Sequence, residues 1–421
     1  MLALFNLISF TSIGAYLVAG TIVAPVEDYY GLNNAMFNVL LFASAFDFVI
    51  STPLWNLALC QHGLRITLLV GVFTMLVGYS VQMAYVYSYW TLVVGGMLVD
   101  TGRVLTIICG QTFTARWFSP HERGLAFGIL YLSEGMFSIG SFFAARGVID
   151  TADLFKSRFI WFVAALLVLT TIAFFLLLPL FEEAPARPPG PPSDKDVCGR
   201  WWTPQWKDNQ NYGPLMVIVV SYIIATVPSW SVPSVLVEIM TDHSYSDNSI
   251  LIAVGTYLTL STVASPIVGY IMDKTHAYRL VICVILIFTT ILFLVFVITL
   301  DNTNPVPFIV STALYGLATG CTSTMFTVTA VELAFPTPEA HVQTLMMWVA
   351  QFAGALGVAA ISFSTEIVHI ALWVFLSLYA VLALTVGISL AWPVRYTRLD
   401  RYEAASTTQL HEYASLPFTA T

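Results

Sequence analysis

Charged residues are scarce. Lys and Arg number 16 and Asp and Glu 24 in a chain of 421, together 10%. A composition so poor in charge and 58% hydrophobic lies far outside that of a soluble domain, and nothing in it points to a nucleic-acid partner. Cysteine is sparse too. The five (Cys60, Cys109, Cys198, Cys283, Cys321) are scattered without the spacing of a metal site or disulfide framework, and read as apolar filler. Also missing are the H-E-x-x-H, G-x-S-x-G, Walker-loop and paired-cysteine patterns of common enzymes. No catalytic residue, metal or cofactor is therefore expected.

Long apolar runs take their place. The chain holds 29 Phe, 19 Tyr and 11 Trp. Twelve windows of about 20 apolar residues, the length that crosses about 30 Å of hydrocarbon, fall at roughly 3–25, 36–59, 64–87, 90–113, 123–147, 158–180, 213–238, 249–272, 278–300, 307–330, 341–364 and 368–392. They show no period-2 alternation, so the expected class is an all-α membrane protein of twelve transmembrane helices rather than a barrel. The first span is followed by Glu27, Asp28, Tyr29 and Tyr30 with no small-residue cleavage pattern, which predicts a retained signal anchor.

Basic residues set the orientation. With the N-terminus cytoplasmic, Arg65, Arg116, Arg123, Arg187, Lys195, Arg200, Lys207, Lys274, Arg279, Arg395, Arg398 and Arg401 all fall inside, while the outer loops carry Glu27, Asp28, Asp150, Asp153, Glu238, Asp242, Asp247, Asp301 and Glu366. Both termini are then cytoplasmic. The long internal linker "FEEAPARPPGPPSDKDVCGRWWTPQWKDNQNY" is too rich in proline for a helix. It divides the chain into a six-helix bundle at 1–180, the cytoplasmic linker 181–212, a second six-helix bundle at 213–392 and a tail at 393–421, a layout of two halves related by an axis along the membrane normal.

Loop motifs carry a resemblance. "GYIMDKTHAYRL" follows span 8, and at the equivalent place after span 2 stands "NLALCQHGLRI". The first, with Gly269, Asp273, Lys274 and Arg279, resembles the signature loop G-x-x-x-D-[RK]-x-x-x-[RK] of the major facilitator superfamily. The second is degraded, with Asn56 at the Gly position and Cys60 at the Asp position. Such a loop lets helices approach at Gly269, lets Asp273 accept hydrogen bonds from a neighbouring helix N-terminus, and lets the basic residues latch that carboxylate across the halves. "ARWFSPHERGLAFG", between spans 4 and 5, is likewise similar to the superfamily's loop there. Arg116, Glu122 and Arg123 in it are candidates to exchange ion pairs as the cytoplasmic mouth opens and closes.

A finer likeness runs through "GLRITLLVG", "VVSYIIATVPSW", "VITLD" and above all "AVELAFPTPEAHVQTLMMWVAQFAG", with Glu332, Phe335, Pro336, Glu339 and Gln351 in order. These resemble the family of the feline leukaemia virus subgroup C receptor. The resemblance implies facilitated or coupled transport of small organic cations such as choline and ethanolamine, with haem also attached to the family. "ASPIVGYIMDKT" and "TFTARWFSPHE" are also similar to the lysosomal dipeptide carriers of the superfamily. A non-transporting receptor on the same scaffold is the further alternative.

Ionisable groups inside a span cost roughly 2.5 to 3.5 kcal/mol or more and usually have work to do. Asp47 in span 2, Asp100 and Arg103 in span 4 and Glu134 in span 5 stand near mid-depth. Asp100 and Arg103 are three apart and face each other on one helix, whereas Asp47 and Glu134 have no local basic partner. One arginine against three carboxylates predicts a negative cavity that suits a cation, with proton coupling through Glu134. The resemblance places Tyr16 at a family tryptophan, Trp230 at a span 7 tyrosine, Glu134 at a span 5 glutamine and Gln351 at a span 11 glutamine. The expected substrate-binding set is Tyr16, Asp47, Glu134, Trp230 and Gln351, with aromatic faces holding an ammonium. Pro228 and Pro233 bracket Trp230 and leave carbonyls unpaired there. "YTRL" and "YASL" in the tail match the tyrosine signals read by endocytic adaptors, which suits a plasma-membrane or endolysosomal address.

Overall fold

A computed structural model describes the chain except residues 13–22, 33, 120, 150, 184, 186–210, 244, 301–303, 336, 338, 362–364, 392 and 395–421. Tyr16, most of the linker and both tail motifs lie outside the described residues. The described chain is nearly all helix: α1 (Leu2–Ser12), α2 (Val23–Tyr30), α3 (Asn34–Gln82), α4 (Tyr89–Trp117), α5 (Arg123–Val148), α6 (Ala152–Leu180), α7 (Tyr212–Asp242), α8 (Asp247–Thr275), α9 (Tyr278–Thr299), α10 (Pro305–Gly320), α11 (Thr322–Ala334), α12 (Glu339–Ile361) and α13 (Thr365–Ser389). Eight stretches among the described residues are long and apolar enough to cross a membrane, by length and composition. Their outward faces are greasy, as a lipid-facing surface requires: Trp161 is 75% exposed and Ile388 69%.

Local chemistry sets the helix ends. Ser88, Thr151, Ser246 and Asn304 start α4, α6, α8 and α10, each accepting a backbone N–H of the first turn on its side-chain oxygen. Pro305 follows Asn304 at the first helical position, where its missing N–H costs nothing. α8 ends at His276, which takes a left-handed conformation (φ 49°) and returns its N–H to Met272. α3 combines two expected spans and breaks at Gly63, whose φ of 80° suits glycine. Glu183, just beyond α6, accepts the Leu64 N–H at 3.2 Å and so starts the second leg.

α3 and α4 form the most extensive helix pair. Their backbones approach closely at Gly78 and Gly95, where an added Cβ would fall on the facing backbone. Between the helices before residue 186 and those after 210, α5 against α8 and α3 against α12 make the main contacts. A continuous core including Phe113, Phe127, Tyr222 and Phe326 runs through both sets, and a second cluster around Tyr79, Tyr85, Phe155 and Phe159 lies wholly in the first. One expectation for cysteine is corrected: Cys109, Cys283 and Cys321 are free thiols, but Cys60 is disulfide-bonded.

Candidate functional site

The buried charges gather where α3, α4 and α5 meet. Arg103 on α4 puts Nε 3.1 Å from Glu134 Oε1 on α5, and its guanidinium stands 3.8 Å from Asp100 Oδ1 on its own helix. The i,i+3 pair expected from the sequence is present, and a second carboxylate joins it. Glu134, which has no basic neighbour on its own helix, finds Arg103 across the helix crossing, and Asp100 is the more distant of the two carboxylates that Arg103 faces. A carboxylate 31 residues away wins because the helix crossing aligns it with the guanidinium edge, a geometry that spacing along one helix does not reveal. Asp47 on α3, about nine-tenths buried, is held instead by a hydroxyl: Thr101 Oγ1 lies 2.9 and 3.0 Å from its two oxygens and 2.9 Å from the Met97 carbonyl. Asp47 pairs with no basic residue among the described ones.

Glu134 lines a narrow cleft with Ser9, Thr106 and Tyr131. A separate cavity of about 160 Å³ is walled by Thr226, Ser229 and Trp230 of α7, Tyr257 and Ser261 of α8, Thr319 and Gly320 of α10, and Thr322 and Ser323 of α11. No lining residue is charged. The hydroxyls are ordered: Ser229 meets Tyr379 at 3.1 Å, Tyr379 meets Tyr315 at 3.1 Å, and Tyr257 meets Thr319 at 3.1 Å. α7 runs through Pro228 and Pro233, and the Tyr315 hydroxyl reaches the Pro228 carbonyl at 3.4 Å. Trp230 stands over Gly354 of α12, one turn from the buried Gln351.

One end of the bundle is closed between the two sets of helices. Asp273 of α8 accepts the Gly124 and Leu125 amides at the start of α5, at 2.9 and 2.7 Å. Those amides are unpaired within their own helix and carry its positive dipole end, so a carboxylate is the matching cap. The cap needs Gly269 and Gly124 face to face, since a Cβ on either would collide with the other's backbone. Beside it, Arg123 makes a buried ion pair with Glu332 of α11 at 3.6 Å and donates to the Phe118 and Ala115 carbonyls. The His121 and His276 rings meet at 3.0 Å.

The structure thus distributes the expected gating residues among different jobs. Lys274 does not reach Asp273's role: it is exposed and stands 5.7 Å over the Tyr270 ring, while Arg279 donates to the Ser389 carbonyl at the end of α13. Arg116 pairs with Glu183, at the start of the linker, at 2.8 Å in a partly exposed bridge. Glu122 is exposed and makes no ion pair among the described residues. Of the expected binding set, Trp230 lines the cavity and Glu134 the separate cleft; Asp47 and Gln351 line neither, and Tyr16 lies outside the described residues. The cavity hydroxyls escaped the sequence reading. Their spacing was the available signal: Thr226 and Ser229, and Tyr257 and Ser261, stand three or four apart on one face of their helices, and Thr319, Thr322 and Ser323 keep that spacing across the α10–α11 junction. Among the described residues no group of three or more His, Cys, Asp or Glu is placed to hold a metal.

Comparison with known proteins bears on this arrangement. The chain is 24% identical over 314 residues to "Uncharacterized MFS-type transporter C09D4.1" of Caenorhabditis elegans, which covers 70% of the chain and 52% of that protein. It is 22% identical over 375 residues to "Choline/ethanolamine transporter FLVCR1" of Felis catus, 85% of the chain and 66% of that protein. The chain therefore spans between about half and two-thirds of the length of these relatives. The solved E. coli fucose:proton symporter FucP superposes with a TM-score of 0.71 at 9% identity, over 92% of this chain and 98% of that one, a likeness of fold alone. The model of the Major Facilitator Superfamily matches residues 4–360 and 218–410. The chain belongs to the Major Facilitator Superfamily.

Proposed function

We propose that the chain carries a small organic cation of the choline and ethanolamine class across a membrane by alternating access between two six-helix bundles, with the Asp273 end facing the cytoplasm. The observation that carries the cation reading is the excess of buried negative charge. Asp100 and Glu134 share Arg103, Asp47 is held by the Thr101 hydroxyl and pairs with no basic residue among the described ones, and Glu134 lines the cleft with Tyr131. A cation entering the Trp230 cavity gains attraction from poorly screened carboxylates and from the indole ring, whereas an anion meets repulsion and the full cost of its own dehydration. The cavity of about 160 Å³ is smaller than the roughly 300–1,000 Å³ of sites for drug-sized ligands, which supports a small amine over haem or a dipeptide. Proton coupling fits the same cluster, with Asp47 as the carrier because Glu134 is already paired with Arg103. The likeness to a choline/ethanolamine transporter supports the substrate class.

The test is an uptake panel in cells expressing the chain, with labelled choline, ethanolamine, a dipeptide, haem and an organic anion at two external pH values. Accumulation of the amines above that of untransfected cells supports the reading. Preferential accumulation of the anion, dipeptide or haem replaces it.

A further inference from the structure

Four of the hydroxyls lining the Trp230 cavity spend their protons on the backbone. Thr226 donates to the Tyr222 carbonyl at 2.7 Å, Ser229 to Ala225 at 2.8 Å, Ser261 to Leu258 at 3.0 Å, and Thr319 to Gly316 and Tyr315 at 3.1 and 3.2 Å. Each is a carbonyl of the residue's own helix, three or four positions back. A Ser or Thr hydroxyl owns one proton and two lone pairs, so once the proton is spent on the backbone only the lone pairs remain for a ligand. The same count extends to the neighbouring phenols. Because Ser229 and Thr319 have given their protons away, Tyr379 donates to Ser229 at 3.1 Å and Tyr257 donates to Thr319 at 3.1 Å. Three helices, α7, α8 and α10, therefore present oxygen acceptors to one cavity, with one indole on its wall.

We propose that this cavity selects an ammonium that still carries N–H bonds, so that the chain prefers a primary amine of the ethanolamine kind to its quaternary counterpart. This rests on the cation reading above and sharpens it. A primary ammonium brings three donors to a wall of acceptors, and hydrogen bonds to a charged group are the stronger kind. A trimethylammonium has no N–H to give. It places methyl groups against oxygen lone pairs and depends on aromatic faces, of which the cavity offers Trp230 and Tyr257 only. The room available, about five times the roughly 30 Å³ share of one liquid water, admits either headgroup, so chemistry rather than size does the sorting.

The experiment uses the full chain in cells or in liposomes and reads inhibition of labelled ethanolamine uptake by ethanolamine, its N-methyl and N,N-dimethyl derivatives, and choline. The expected result is a loss of affinity with successive methyl groups, reaching roughly tenfold or more at choline. Ser261→Ala, whose hydroxyl bonds only its own helix, removes one acceptor and should compress the span between ethanolamine and choline by several-fold while the protein still reaches the membrane. Choline inhibiting as well as ethanolamine or better in the unmutated protein overturns the proposal and leaves cation transport standing, since both compete. Inhibition by neutral or anionic solutes but by no member of the amine series is a different failure, that of the cation reading itself.

Discussion

Asp273 accepts the amide of Gly124 at 2.9 Å, so a carboxylate from one set of helices caps the first turn of a helix in the other. The second oxygen takes Leu125 at 2.7 Å. Asp273→Asn keeps an acceptor for one amide and loses the charge that answers the helix dipole. Transport should fall several-fold while surface expression and substrate affinity stay within a few-fold. Unchanged transport would mean that the contact does not govern opening.

Arg123 and Glu332 are 7% and 5% exposed as side chains and span the same junction. Removing one member of a buried pair leaves an uncompensated charge, at about 3 to 5 kcal/mol. Arg123→Met or Glu332→Gln alone should therefore lower the yield of monodisperse protein after heating, and the double substitution should recover part of the loss. A loss in the double equal to the sum of the two single losses would show that the two residues act independently.

Glu134 and Asp47 should separate under mutation. Glu134→Gln deprives Arg103 of its 3.1 Å partner and leaves Asp100 at 3.8 Å, so the chief effect should be poor stability and expression, relieved when Arg103→Gln is added. Asp47→Asn should express well and lose uptake driven by a proton gradient while keeping exchange. The one Thr101 proton has two acceptors in reach, Met97 and Asp47. With that proton on Met97, Asp47 completes its bond to Thr101 only by carrying a proton of its own. A gradient response that survives Asp47→Asn and vanishes in Glu134→Gln would reverse the assignment.

Trp230→Ala should weaken amine binding by about tenfold and Trp230→Phe by less, since a smaller ring remains to face the cation. Competition binding with labelled ethanolamine reads both. Equal weakening by Ala and Phe would indicate that the indole acts through packing on Gly354 rather than through its face.

Helix positions were legible in the sequence because composition alone marks a stretch that must satisfy its backbone internally. The Gly269 and Asp273 motif was legible for a related reason: its glycine and carboxylate are each needed by a local geometry. The nearer partner of Arg103 was not. Spacing of three pointed to Asp100, and only the crossing of α4 and α5 brings Glu134 closer. The roles of Lys274 and Arg279 were misjudged because a basic residue next to an acidic one in sequence need not face it: Asp273 points into the junction and Lys274 out toward Tyr270. The hydroxyl cavity stayed hidden for the same tertiary reason. A serine or threonine that bonds its own helix is unremarkable on any single span, and its meaning arises when α7, α8, α10 and α11 bring their oxygens to one space.

The most direct test of cation transport is uptake of labelled ethanolamine into liposomes containing the purified chain, with the interior preloaded with unlabelled ethanolamine, choline, an organic anion or buffer alone. The expected result is accumulation over protein-free liposomes when an amine is inside, reduced about tenfold in Trp230→Ala. Accumulation driven equally well by the preloaded anion, or absent with either amine while the protein remains folded, would contradict the account.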